Sequence, residues 1–313
     1  MKMVKAETRK TLVLYALLAP TLVLYLLFFV YPVINGLTMG LYKYDIRVPL
    51  NYFIFFTPHT SYVGLQNYIF VALDPLFQHA LENTLIIMAA NSVAQFLIGF
   101  GLAWLARKYG KVGDVFLSVA LIPIVLSFVS VGLMWTWIYS PSFGLLDSMI
   151  NYLRINGALR FVGLPTIPVS LTSNPNTMLL SVLLAANWQG IGLYAIIYSA
   201  GLRTIPPSIY DSMKIDGLSD LKKITRVIWP MMKETIALAL VLVLSSSFKI
   251  FDLVYTLTGE GPHISDDVIS LYLYRYLKYY EGGQPAAVAF FMLMIGIVLI
   301  VVQFRLFRGR SEK

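Results

Sequence analysis

Long apolar segments alternate with short polar ones along almost the whole of this 313-residue chain. Each apolar segment holds about 20 residues or more, enough for a helix to cross a hydrocarbon layer of about 30 Å. Lipid offers the backbone no hydrogen-bonding partner, so a helix is the expected form of each segment. The pattern therefore predicts six membrane-spanning helices, at about residues 11–40, 79–106, 115–139, 178–202, 231–257 and 285–306. Pro20, Pro32 and Pro123 are expected to kink these helices or mark their ends.

The composition agrees with a membrane protein. Hydrophobic residues make up 58% of the chain and charged residues only 13%, whereas about a quarter of an ordinary soluble domain is charged. The first apolar segment carries no charge between Lys10 and Lys43, a run of 32 residues. A secretory signal has an apolar region of roughly 7 to 15 residues. The segment is therefore predicted to be a retained first span.

The basic residues indicate the orientation of the spans. If the N-terminus is cytoplasmic, the inner segments hold 17 of the 24 Lys and Arg residues and the outer loops hold six, with Lys249 inside a span. An excess of Lys and Arg marks cytoplasmic segments. Both termini are therefore predicted to be cytoplasmic. The net charge of +8 lies at the ends of the spans, so no nucleic-acid partner is expected.

Several kinds of chemistry are excluded. The chain has no cysteine, so it contains no disulfide, thiolate metal site or cysteine nucleophile. Gly110 and Lys111 are followed by Val112, so the phosphate-binding pattern of an ATPase is missing. The three histidines lie far apart in sequence, without a metal-ligand spacing. No catalytic residue, metal site or cofactor is expected in this chain, and it is predicted not to be an enzyme.

The predicted inner loop at 204–230 carries an ordered pattern. Thr204 is expected to cap a short helix whose first turn contains Pro206 and Pro207, where the missing amide donors do no harm. Gly217 is expected to end that helix in the left-handed conformation. Ser219 is then expected to cap a second short helix. The two helices could form a compact protrusion on the cytoplasmic side, or they could lie flat on lipid.

The second short helix has its own pattern. Asp220 falls in its first turn, where an acid is favourable. Leu221, Ile224 and Ile228 are expected to share one apolar face.

This loop resembles the coupling loop of ABC importer permeases. Their pattern is Glu-Ala-Ala, then Asp-Gly a few residues later, then an apolar residue and Pro before the next span. Ser212 and Met213 stand here in place of the two alanines, and Asp211 in place of the glutamate. The resemblance implies contact with an ATPase by Tyr210, Asp211, Ser212, Met213, Asp216, Gly217 and Pro230.

The resemblance to sugar-type permeases, such as those for maltose and glycerol phosphate, extends beyond the loop. Segments 62–68 and 80–84 are similar to those before the second span, and segments 247–255 and 258–262 are similar to the fifth span and the loop after it. The implied organisation is a first helix and outer loop at 1–75, a type-1 permease core at 76–307 with its coupling loop at 204–230, and a cytoplasmic tail at 308–313.

The resemblance also implies a fold and a set of partners. The fold is the all-α, six-helix type I importer permease, located in the bacterial inner membrane. A second permease subunit, expected to be a non-identical homologue, would complete the pore. Two ATPase subunits would bind ATP and Mg, and an extracytoplasmic solute-binding protein would deliver a sugar or oligosaccharide. Membrane lipid surrounds the spans.

The predicted fifth span contains candidates for the substrate pathway. Lys249 and Asp252 interrupt an apolar stretch, and charged groups at such a depth usually face a cavity. They are three residues apart, so on a continuous helix they could pair. An acid beside aromatic rings suits a sugar. The candidates are Phe248, Lys249, Asp252 and Tyr255, with Asn187 and Trp188 in the fourth span.

Alternatives remain at this stage. Lys249 could extend to the membrane interface and the aromatic side chains could simply pack. Within the family, glycerol phosphate or another polar solute could replace a sugar. An ion-coupled secondary transporter is compatible with Lys249 and Asp252, although it leaves the inner loop unexplained. A polytopic membrane enzyme would need an acid cluster, and only Asp211, Asp216 and Asp220 approach one.

Overall fold

A computed structural model of the chain describes residues 15–43, 61–140, 143–161, 175–259, 267–279 and 282–308. Helices form most of these residues, together with one two-residue hairpin that pairs β1 (Tyr42–Lys43) with β2 (Ser61–Tyr62). The helices are α1 (Tyr15–Met39), α2 (Gln66–Leu73), α3 (Pro75–Tyr109), α4 (Lys111–Ala120), α5 (Phe128–Ile138), α6 (Leu145–Tyr152), α7 (Ile155–Phe161), α8 (Pro175–Thr204), α9 (Pro207–Ile215), α10 (Asp220–Met231), α11 (Lys233–Phe248), α12 (Asp252–Thr258), α13 (Ile269–Tyr279) and α14 (Gln284–Arg308).

The chain divides into two compact units. The first comprises residues 1–74 and 273–295. In it, the Asn67 side chain donates hydrogen bonds to the carbonyl oxygens of Gly40, at 2.9 Å, and Tyr42, at 3.0 Å. The Tyr68 hydroxyl donates to the Leu37 carbonyl at 2.7 Å. These bonds join α2 to the end of α1, where the helix gives way to the hairpin.

The second unit comprises residues 75–272 and 296–313, and α3 and α8 pack along each other within it. Small residues permit this packing: a side chain at Gly99 would press on the Cβ of Tyr194, at 3.2 Å. The contact faces form a buried cluster with α11 and the segment between α8 and α11. Its buried members are Phe100, Ala103, Tyr194, Tyr198, Leu202, Ile205, Met213, Ile228, Met232, Ala239 and Val243.

The predicted spans correspond to helices of suitable length. Four helices, α1, α3, α8 and α14, are long and apolar enough to cross a membrane, and two bent pairs would bring the number to six. The first bent pair, α4 with α5, turns by 98°. Pro123 lies in a short 3₁₀ turn there, and the Ser127 hydroxyl accepts a hydrogen bond from the Ser130 amide at 3.1 Å to begin α5. Pro123 therefore marks a helix end, as predicted. Pro20 and Pro32 lie within α1, which continues through both.

The predicted span at 231–257 is wrong as a single helix. Between α10 and α11 the chain bends by 80° at Met232. Further on, α11 ends at Phe248 and α12 begins only at Asp252. The amides of Lys249 and Ile250 bond to carbonyls three residues earlier, at 3.2 and 3.3 Å, which tightens the last turn and ends the helix.

Candidate functional site

The inner loop contains the two predicted helices, α9 and α10, but the first begins differently from the prediction. Thr204 is the last residue of α8, and its hydroxyl donates back to the Gly201 carbonyl at 2.8 Å, so Thr204 does not cap α9. The cap position belongs to Pro206, whose extended backbone leads into Pro207 at the first helical position. Proline suits that position because the amide there needs no partner within the helix.

Gly217 ends α9 as predicted, with a positive φ of 63°. The Leu218 amide bonds to the Met213 carbonyl at 3.3 Å, and the Gly217 amide bonds to the Lys214 carbonyl at 3.1 Å. This pair of bonds is the Schellman motif, which satisfies the last carbonyls of a helix. Ser219 then precedes α10 with extended backbone, although its side chain makes no capping hydrogen bond.

The inner side of the loop is anchored in the core. Met213 on α9 and Ile228 on α10 are 3% and 0% exposed, and both belong to the buried cluster of the second unit. Leu221, predicted to share the apolar face of Ile228, is instead 72% exposed. A π-helical turn at Ile224–Ile228 changes the periodicity within α10, so Leu221 and Ile228 point in different directions. Pro230 follows this turn, also exposed.

The outer side of the loop is polar with two apolar side chains. Asp211 forms an exposed ion pair with Lys214 at 3.1 Å, and Ser212 and Asp216 are also exposed. Ile215, at the end of α9, is 87% exposed, and Leu221 lies just beyond the glycine turn. Sequence reasoning missed the exposure of these two residues. The outer side thus presents acids beside apolar groups on a rigidly held backbone.

Tyr210 connects the loop to α3 and α8. Its hydroxyl donates to the Leu202 carbonyl at 3.1 Å, and the Arg107 guanidinium lies 3.7 Å from the centre of its ring. Arg107 also donates to the Leu202 carbonyl, at 3.3 Å. Burial raises the pKa of Tyr210, although the Arg107 charge opposes this effect. The last turns of α3 and α8 therefore hold α9 through Tyr210.

Lys249 and Asp252 do not share a helix. Lys249 follows the end of α11, and Asp252 opens α12. Both side chains are exposed, and the ion pairs of the described residues do not include one between them. The predicted pairing is therefore wrong, because it required one continuous helix and the helix ends at Phe248, before both residues. Phe248 is buried, at 7% exposure, and Tyr255 stacks on Phe251 at 5.5 Å between ring centres.

Asn187 belongs to a buried chain of polar side chains that links three helices. Its amide nitrogen donates to Asn91 Oδ1 on α3 at 2.8 Å, and Asn91 in turn donates to Ser247 Oγ on α11 at 3.0 Å. Trp188, the next residue, is 39% exposed and its ring contacts Trp135 edge-on at 5.9 Å. Of the two candidates in α8, only Asn187 thus joins the polar interior.

A cavity of about 310 Å³ adjoins this polar chain. Gln95 on α3 and Gln189 on α8, both 4% exposed, line it together with Asn91 and Ser247. The Gln189 amide nitrogen donates to the Leu126 carbonyl at 2.7 Å. The Oε1 atoms of Gln95 and Gln189 are buried without a hydrogen-bond partner in the described part of the chain. The cavity therefore offers two acceptors to a ligand that can donate hydrogen bonds.

These cavity residues were missed in the sequence. Asn91 and Gln95 are four residues apart within an otherwise apolar span, so they lie on one face of α3. Polar residues at that spacing usually face the interior of a helical bundle. The four-residue spacing of Asn91 and Gln95 could therefore have predicted the cavity. The prediction relied on charged residues and selected Lys249 and Asp252, neither of which lines the cavity.

Helices of spanning length around a polar interior are typical of a polytopic membrane protein. Residues 95–312 match the family described as "Binding-protein-dependent transport system inner membrane component". The chain belongs to this family, and the family predicted from the coupling-loop pattern is thereby confirmed.

Curated relatives and solved structures align along nearly the whole chain. The "Probable ABC transporter permease protein YurN" of Bacillus subtilis is 28% identical, with 96% of this chain and 97% of the relative covered. The trehalose/maltose transport system permease protein MalF of Thermococcus litoralis is 24% identical over 98% of each chain. A crystal structure of a bacterial ABC transporter that imports alginate contains a chain with a TM-score of 0.75, 23% identity and full coverage of both chains. The predicted all-α importer permease fold is confirmed.

Proposed function

We propose that this chain is the permease subunit of an ATP-driven importer that carries a sugar or oligosaccharide across the bacterial inner membrane. Its family supports the transport role. Relatives named for sulfoquinovosyl glycerol, for trehalose and maltose, and for multiple sugars support a carbohydrate substrate. A related alginate importer has been solved in complex with a periplasmic protein that holds an alginate pentasaccharide, which supports a solute-binding protein as a partner.

The observation that carries the proposal is the construction of the inner loop. Its inner side is fixed by buried Met213 and Ile228, while its outer side presents exposed Ile215 and Leu221 beside Asp211. Apolar groups of this size on a rigid exposed turn suit a groove on a partner protein. The partner is the ATPase subunit, which binds ATP and Mg²⁺, and a second permease subunit completes the pore.

The substrate pathway includes the cavity between α3, α8 and α11. Its volume of about 310 Å³ lies at the lower end of the usual range for ligand pockets, about 300–1,000 Å³. Gln95 and Gln189 each offer a buried acceptor, and the hydroxyl groups of a sugar are suitable donors. We include Lys249 and Asp252 in this pathway, because Ile250, which lies between them in sequence, lines the cavity.

The orientation is part of the proposal. Both termini and the inner loop face the cytoplasm, as the excess of Lys and Arg in those segments favours. Reporter fusions at Glu312 and near Asn156 test this orientation. The first should report the cytoplasm and the second the outside, and a cytoplasmic signal from the second fusion would contradict the six-span arrangement.

Substitution of Gly217 tests the coupling role. A side chain at this position meets no atom within 4 Å, so the chain itself has room for one. The left-handed backbone nevertheless disfavours Gly217→Val by roughly 1 to 2 kcal/mol, and the added side chain would enter the partner's groove. Gly217→Val should insert normally in the membrane but abolish uptake and loosen the ATPase.

The matched control is Gly217→Asn, because asparagine tolerates the left-handed conformation better than other residues do. It should retain more ATPase than Gly217→Val in co-purification and more uptake in vesicles. If the Gly217→Val variant shows normal uptake and retains the ATPase normally, the loop does not couple the permease to the ATPase.

A further inference from the structure

Four basic side chains surround a second cavity, of about 410 Å³, at the end of α3. Arg107 and Lys108 come from the last turn of α3, Lys214 from α9 and Lys223 from α10. Trp104, Tyr210 and Met213 form the aromatic and apolar part of the wall, and Asp220 is the one acid among the lining residues. We call this space the basic cavity. It lies beside the inner loop and is separate from the cavity lined by Gln95 and Gln189.

The charges of the basic cavity are only partly compensated. Lys214 pairs with Asp211 and Lys223 pairs with Asp220, each at 3.1 Å. Arg107 has no carboxylate partner among the described residues. Its contacts there are the Tyr210 ring and the Leu202 carbonyl oxygen.

Lys108 has neither an ion pair nor a hydrogen bond within the part of the chain that the structure describes. Arg107 and Lys108 therefore leave an excess of positive charge in a concave space. This excess is available to an anion.

We propose that the basic cavity binds the phosphate group of an anionic lipid headgroup. Arginine and lysine form strong charge-assisted hydrogen bonds with phosphate oxygens. Arg107 and Lys108 close the longest spanning helix, and half-buried Trp104 lies one turn before them, where tryptophan side chains meet the membrane interface. Basic pockets between helices at the cytoplasmic side bind such headgroups.

The location suggests what the lipid does. The same Arg107 contacts Tyr210, which holds α9, so a bound headgroup would also touch the inner loop. Lys214 and Lys223 bring α9 and α10 to the same phosphate group. The lipid therefore joins the end of α3 to both helices of the loop.

Two pairs of neighbouring lysines provide a matched test. Lys108 and Lys223 line the basic cavity, whereas exposed Lys111 and Lys222 lie close to them in sequence and do not. The full chain is purified in detergent as wild type and as Lys108→Gln, Lys223→Gln, Lys111→Gln and Lys222→Gln. Binding of phosphatidylglycerol, phosphatidylcholine and inorganic phosphate is measured for each by native mass spectrometry and by the shift in melting temperature.

The wild type should bind phosphatidylglycerol in preference to phosphatidylcholine. Each lining substitution should weaken this binding about fivefold, because a basic residue near an anionic lipid contributes about that factor. Both control substitutions should leave it within twofold. If the wild type binds inorganic phosphate but shows no preference for phosphatidylglycerol, and the lining variants lose the phosphate, the ligand is a soluble phosphate and the lipid assignment is wrong.

Two further results would overturn the proposal. Equal weakening by all four substitutions would mean general attraction to a basic surface, with no defined site. If the lining variants bind phosphatidylglycerol normally but lose the ATPase during co-purification, the cavity receives an acidic group of the protein partner instead of a lipid.

Discussion

The inner loop and the polar interior of the second unit are built in opposite ways. In the loop, apolar Met213 and Ile228 are buried, and acids such as Asp211 face outward. In the interior of the spans, Asn91 and Gln95 are buried, while apolar side chains such as Leu97 and Ile98, 57% and 47% exposed, face outward. The surroundings explain the inversion, since one region meets an aqueous phase and the other meets lipid.

The two regions also differ in how their polar groups are satisfied. In the loop, the Schellman bonds at Gly217 complete the hydrogen bonding of α9 locally. In the interior, the bond from Asn187 to Asn91 joins residues 96 positions apart, and the acceptors of Gln95 and Gln189 are left over. A loop whose backbone hydrogen bonds are satisfied locally suits a rigid docking element. Acceptors without a partner in the protein suit a ligand that binds transiently. The predictions below test this contrast, beginning with the largest expected effect.

Met213→Ala should destabilise the loop strongly. Truncation of a buried methionine typically costs about 2–5 kcal/mol, because it removes apolar contact and leaves a cavity. Met231, which is 46% exposed at the end of α10, provides the control, and Met231→Ala should have little effect. Melting temperature in detergent and ATPase co-purification measure the outcome. Equal shifts for the two variants would show that Met213 is not an anchor.

Asp252→Ala should weaken uptake while leaving assembly intact. A hydrogen bond to a charged group contributes about 1.5 to 3 kcal/mol, which is more than tenfold in affinity. The acid also favours the first turn of α12, although this effect is only about 0.3–1 kcal/mol. Concentration-dependent uptake in vesicles measures the affinity, with Glu82→Ala, at an exposed acid of α3, as a control for lost negative charge. If the Asp252→Ala variant takes up substrate with the same kinetics as the wild type, Asp252 does not contact the substrate.

Asn91→Ala should disconnect α3 from α8 and α11. The variant loses the bonds to Asn187 and Ser247, and the groups left unpaired cost about 1–3 kcal/mol. Ser92→Ala is a suitable control, because the Ser92 hydroxyl bonds only within its own helix, to the Met88 carbonyl at 2.7 Å. Thermal unfolding in detergent compares the two variants. If Asn91→Ala melts at the same temperature as Ser92→Ala, the polar chain contributes nothing to stability.

Asp114→Asn should have the smallest effect. Asp114 forms an ion pair with Arg203, and both side chains are at least half exposed. Exposed pairs contribute about 0–1 kcal/mol, and salt screens them. The variant should melt within a few degrees of the wild type at low salt, and the difference should vanish at high salt. A large salt-independent loss would mean that the pair connects α4 to α8 more firmly than exposed charges do.

Local signals made much of the fold predictable. Apolar runs of spanning length located α1, α3, α8 and α14 as single helices, because the length of a span is fixed by the bilayer. Gly217 was predictable because few residues other than glycine adopt a positive φ routinely. The break at 249–251 was not predictable, because no proline or glycine near Phe248 marks the end of the helix in the sequence. The link from Arg107 to Tyr210 was equally hidden, because about a hundred residues separate its members.

The 80° bend at Met232 joins the inner loop directly to a helix that lines the polar cavity. Met232 is 2% exposed, and its amide bonds to both Ile228 and Trp229, so the elbow is stiff. Met232 alone separates the two helices, so a displacement of α10 would pass directly to α11, whose Ser246 and Ser247 line the polar cavity.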